Sequence, residues 1–161
     1  MGSYTYGNPN KPYAVTAAGG VSYGYDANGR MTSRAGSSIS WYSYDLPKKI
    51  DYGAVSSEFF YGTGRARYKQ LRRSGASVIS TIYYVGSLYE RETAGGTTTH
   101  RHHLYAGGQA IGQLKRTQAG VNSFEYFHRD HQGSVTKVTN GAGSVLQSLS
   151  FDAFGKRRNT D

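Results

Sequence analysis

Glycine interrupts this chain about every ten residues, and that spacing limits the fold more than any other feature. The signals fall at Gly19-Gly20, Asn28-Gly29, Gly36, Gly53, Gly62 to Gly64, Gly75, Gly86, Gly95-Gly96, Gly107-Gly108, Gly120, Gly133, Gly141 to Gly143 and Gly155. Segments this short suit strands joined by hairpins, because globular helices generally need ten or more residues. The residues between the glycines agree. Tyr occurs 15 times and aromatics make up 14% of the chain, too many for a disordered polymer. Aromatic and β-branched residues favour strands, so an all-β chain with many reversals is expected.

Alternation along the segments supports that reading. Val21, Tyr23 and Tyr25 fall on one side of an extended chain. "SVISTIYYV" from Ser77 is apolar or β-branched on both sides and reads as a more buried strand. Asn28-Gly29 reads as a two-residue type I′ turn, since both residues tolerate positive φ. Only "RARYKQLRRSG" has any helical spacing, and its apolar face is too thin to support a helix.

A repeat runs through these strands. Aromatics expected at strand ends, Tyr6, Tyr25, Tyr44, Tyr61, Tyr84, Tyr105, Phe127 and Phe151, stand 17 to 24 residues apart. Such a unit holds about two strands and two turns, and it buries its face only by stacking on its neighbours. Residues 4–158 are expected to form a single domain of about seven to eight repeats. Met1-Gly2-Ser3 reads as a cloning remnant and 159–161 as a tail.

Several phrases resemble the RHS/YD-repeat family of bacterial polymorphic toxins, wall-associated and toxin-complex proteins. The most specific is "YFHRDHQGSVTKVTNGAGSVLQSLSFDAFGKRR", where His128, Asp130, Gly133, Phe151, Asp152, Phe154 and Gly155 carry the spacing. "YGYDANGRMTSR" and "YYVGSLYERE" are similar to the same repeats. The resemblance implies stacked antiparallel hairpins in one curved or spiralling sheet, part of a hollow shell around a toxic C-terminal polypeptide. It implies a bacterial secreted or cell-surface setting, with the neighbouring repeats and that toxin as partners. The family's self-cleaving core motif is absent, since Asp152 lies in the shell phrase "DAFG", so no enzymatic activity is expected.

The recurring Tyr-Asp pairs invite a comparison with carboxylate catalysis. Glycoside hydrolysis needs two carboxylates across one bond, whereas Asp26, Asp45 and Asp152 are expected once per repeat. Asp26, Asp45 and Asp152 instead read as turn closers, each at the first position of its turn and accepting a backbone N–H two residues on, while the Tyr beside each of the first two adds an apolar face to the sheet. Tyr25, Asp26, Asn28, Gly29, Tyr44, Asp45, Tyr105 and the residues of the last repeats above therefore form the structural set.

Net charge is +9, which favours anionic partners such as acidic polysaccharide. The densest basic run is "RARYKQLRR". Arg65, Arg67 and Lys69 alternate, so they are expected to line one strand face with Tyr68 opposite, and Arg72 and Arg73 lie near the next turn. With aromatics interleaved, this is the candidate polyanion site of the alternative reading, a carbohydrate- or polyanion-binding module. His100 with His102, and His128 with His131 beside Asp130, have ligand spacing for Zn²⁺ or Ni²⁺, yet they read equally as polar strand and repeat positions. We assign neither a metal nor a cofactor to them. There is no cysteine, and no stretch is apolar and long enough to span a bilayer as a helix. Open sheet edges are expected to favour self-association.

Overall fold

A computed structural model describes residues 3–152 and 155–158. Met1 and Gly2 of the expected remnant, Phe154 of the last repeat and the tail 159–161 lie outside the described residues. Among the described residues there are fifteen strands and no helix. The strands follow one another in the sheet in chain order, antiparallel wherever a register is defined, and the sheet is open. The all-β expectation of hairpins stacked in sequence holds.

The chain falls into two compact units, Met1–Thr81 and Ile82–Asp161. The first holds β1 (Tyr4–Thr5), β2 (Ala17–Ala18), β3 (Val21–Tyr25), β4 (Met31–Arg34), β5 (Ser37–Trp41) and β6 (Pro47–Tyr52). It continues through β7 (Val55–Tyr61), β8 (Arg67–Ser74) and the start of β9 (Ser77–Val85). The second holds the rest of β9, then β10 (Tyr89–Ala94), β11 (Thr97–Ala106) and β12 (Gln109–Thr117). It ends with β13 (Asn122–Arg129), β14 (Val135–Asn140) and β15 (Val145–Ser148). The run with faint helical spacing is strand β8.

Two kinds of turn alternate along the first unit. Two-residue turns, Gly19-Gly20, Ala35-Gly36 and Gly53-Ala54, follow β2, β4 and β6. The first two have positive φ at both positions, the type I′ form, and the third only at Gly53. Three-residue turns, Asp26–Arg30, Tyr42–Leu46 and Gly62–Ala66, follow β3, β5 and β7. In each, the first N–H donates to the fifth carbonyl and the fourth N–H donates back to the first carbonyl. The fourth residue is left-handed: Gly29 at φ 87°, Asp45 at 65° and Arg65 at 60°. Because the two kinds alternate, all the three-residue turns of this unit line one rim of its strands.

This corrects the expected turn at Asn28-Gly29. Only Gly29 has positive φ, so a type I turn followed by a left-handed glycine replaces type I′. Each three-residue turn comes with a register shift, at Gly24/Tyr25, Ser40/Trp41 and Phe60/Tyr61. The shift inserts an extra residue, so face assignments read by simple alternation fail beside it.

Little is buried. Val138, at 8% exposure, is the one buried apolar side chain among the described residues, beside the polar Ser80 and Thr139. The expectation that β9 is a more buried strand fails for the same reason. Its Val78 and Ile79 are 47% and 39% exposed, and the buried member is Ser80. A single-layered sheet buries neither face fully, whatever its residues.

Register nevertheless gives the first unit two unlike faces. Tyr23, Tyr25, Met31, Ile39, Trp41, Ile50, Phe59 and Tyr61 share one side and are half-buried. Ser33, Ser38, Ser40, Lys49, Asp51, Ser56 and Glu58 share the other.

Candidate functional site

The three-residue turns are where the sequence phrases become chemistry. Asp26 opens the first of them, and its Oδ1 accepts N–H groups from Asn28 at 3.0 Å and Arg30 at 2.9 Å. Asp130 does the same for Gln132 and Ser134. Asn140 repeats it for Ala142 and Ser144, and Asp152 accepts from Lys156 at 2.8 Å. A short acceptor at the first position satisfies donors that the turned backbone cannot pair, which is the role expected of Asp26; for Asp152 the residue two places on lies outside the described residues, and the bond from Lys156 is the one seen. Gly133 and Gly155 hold the left-handed fourth position, at φ 85° and 77°.

Asp45 plays another part. It stands fourth in its turn, in the place of Gly29, while Tyr42 stands first in the place of Asp26. Tyr25-Asp26 and Tyr44-Asp45 are therefore not equivalent, and Tyr44 is a turn residue, not a strand end. The two turns are instead joined by Arg30. Its Nε donates to Asp26 Oδ2 at 2.7 Å, and its Nη1 donates to Tyr42 O at 3.0 Å and to Asp45 Oδ1 at 3.1 Å. Burial pushes the Asp26 carboxyl up, but the Arg30 side chain and backbone N–H groups outweigh it and hold it below the usual range. Bonding to Asp26 raises the Arg30 guanidinium in turn. The Lys11 ammonium also donates to the Asp26 carbonyl.

Aromatics gather at the same rim. Tyr42 stacks on Tyr44 with ring centroids 5.0 Å apart, and Tyr61 meets both edge-on at 5.9 and 6.3 Å. Their hydroxyls act as cross-strand ties. Tyr25 donates to Val15 O, Tyr42 to Phe59 O, Tyr61 to Pro47 O and Tyr105 to Ser87 O, at 2.9 to 3.1 Å. Burial raises the Tyr42 and Tyr61 phenols above their usual range. The sequence predicts only an apolar packing face from these rings. Tyr was the available signal, since a half-buried phenol needs a partner that Phe does not.

The basic run does not form the expected single row. Phe60 pairs with Lys69 and Tyr61 with Arg67, leaving Tyr68 as the extra residue. Lys69 and Arg67 therefore lie on opposite faces, Lys69 over the Phe60 ring at 5.1 Å and Arg67 over Phe59 at 5.6 Å. Tyr68 packs on the Lys69 side against Phe60, not opposite the cations. Arg65 is in a turn with its guanidinium over Tyr44. Arg73 is held by Glu58 at 2.9 Å, and Arg72 points to the other side. The bulge parts Arg67 from Lys69, the turn takes Arg65 out of the strand, and ordinary alternation puts Arg72 and Arg73 on opposite faces.

The histidines sit in the second unit. His100 and His102 share one face of β11. The Tyr89 hydroxyl oxygen and His100 Nδ1 are 2.6 Å apart, and the Tyr89 and His102 rings are 5.1 Å apart. His128 Nε2 meets Thr139 Oγ1 at 2.9 Å, and His131 is exposed in a turn that the Asp130 carboxylate closes. Among the described residues no three His, Asp or Glu side chains come together as a metal site would require.

The opposite face of these strands carries a charge network. Arg101 pairs with Glu92 at 2.7 Å and with Glu90 at 4.0 Å, His103 reaches Glu90, and the Lys115 ammonium pairs with Glu125. Burial pushes the Glu125 carboxyl up, but hydrogen bonds from Lys115 and Gln113 hold it below the usual range.

No protein-family model matches this chain, and no curated protein matches it in sequence.

Proposed function

We propose that this chain is a stretch of repeat-built wall, similar to RHS/YD-repeat shells, whose work is to enclose a toxic C-terminal polypeptide. The observation that carries this reading is the sheet itself. Fifteen strands add in chain order to one open sheet, and one apolar side chain among the described residues is buried. A sheet that buries neither face is poorly suited to being a closed domain and well suited to being part of a larger surface.

The rim supports the same role. Tyrosine hydroxyls and Arg30 tie neighbouring hairpins of the first unit together, which stiffens the sheet there. The partners are then neighbouring repeats and the enclosed polypeptide, with self-association through open edges when the chain is alone. The setting is a bacterial secreted or cell-surface one, and the chain performs no catalytic step. The parent reading frame tests this. It should encode, beyond these residues, a polypeptide that is toxic when expressed alone, and a frame encoding none removes the reading.

A further inference from the structure

Charge in the second unit is sorted by face. The register from β10 to β14 places Glu90, Glu92 and Glu125 on the same side as Arg101, His103 and Lys115. The other side presents Arg91, His100, His102, Arg116, His128 and Lys137, and no strand carboxylate among the described residues. Acids and bases neutralise each other on one face, while the other keeps its cations.

That cationic face has a hollow of about 460 Å³ lined by Tyr89, His100, His102, Arg116 and Thr117. Three adjacent strands furnish it. His100 is directly opposite Arg116 on β12, and His102 is directly opposite Tyr89 on β10. Arg116 and His102 are exposed, and Arg116 has no ion pair among the described residues. The Tyr89 hydroxyl engages His100 Nδ1. When the phenol donates, the imidazole proton lies on Nε2, which leaves that nitrogen a donor for a ligand.

We infer that this hollow binds a tetrahedral oxyanion, the phosphate or sulfate group of a ligand, through Arg116, His100 and His102. A planar carboxylate offers two oxygens, whereas a guanidinium from β12 and two imidazoles from β11 suit a group with three or more. The guanidinium fork supplies two parallel donors and the imidazoles supply the rest. The site is separate from the run at Arg65 to Arg73 and does not depend on the containment role.

Isotope-labelled chain titrated with inorganic phosphate, sulfate and acetate, at fixed pH and ionic strength, tests it by nuclear magnetic resonance. Phosphate, sulfate or both should give saturable shifts of the His100 and His102 ring protons, and the stronger of the two names the natural group. Acetate should bind at least tenfold more weakly. Arg116→Gln should weaken binding about tenfold or more, a loss of about 1.4 kcal/mol, and Arg72→Gln should not. His102→Gln is the second variant if the first does not give a folded spectrum, and the same loss is expected. The assignment is overturned by an absence of saturable shifts, by acetate binding equally well, or by Arg72→Gln weakening binding as much as the site variants.

Discussion

The Arg30 guanidinium donates to the Asp45 carboxylate at 3.1 Å, joining the turn after β3 to the turn after β5. The same side chain holds Asp26 at 2.7 Å, so one cation spans two consecutive hairpins. Arg30→Gln removes both contacts and leaves the Asp26 cap of its own turn in place. Its thermal midpoint should fall measurably, and that of Arg72→Gln, at an exposed position of β8, should stay where it is. Equal midpoints for the two variants would show that the tie carries no stability.

Gly112 marks a close approach of two strand backbones. A Cβ there would run into the Glu125 carbonyl oxygen and lie 3.3 Å from the Tyr126 Cα. Both obstacles are backbone, so the pairing of β12 with β13 has to shift. Gly112→Ala should cost about 1–3 kcal/mol in urea unfolding. The same change at Gly64, where an added Cβ meets nothing within 4 Å, should cost far less.

Acid should loosen the sheet. Asp26 and Glu125 both titrate below their ordinary values of 3.8 and 4.5, so each favours the folded state while ionised. Their contributions are complete above those values and disappear as pH falls through the lower folded ones. Stability should therefore decline from about pH 5 to about pH 3. Glu125→Gln, which has no carboxyl to protonate, should flatten that decline. A pH profile identical to that of the unaltered chain would dissociate Glu125 from it.

The hairpins were legible in the sequence because glycine and aromatic spacing act locally. Gly95-Gly96 and Asp130 to Gly133 fold as their own residues dictate. What escaped was everything that depends on register. Asp26 and Asp45 share a phrase, but Asp45 has slid three places along its turn because Tyr42 opens it. Arg67 and Lys69 alternate in sequence and part in space because Tyr68 is an extra residue. The sorting of Glu90, Glu92 and Glu125 to one face depends likewise on strand partners that lie in other hairpins. Side-chain alternation has period two, so one bulge reverses every face beyond it.

Protease protection in the parent protein tests the central claim, that this wall encloses a polypeptide. The segment encoded beyond this chain should resist an added protease while the wall is folded, and should be cut once denaturant or acid opens the sheet. Cleavage of that segment in the folded parent as fast as when it is expressed alone would contradict containment.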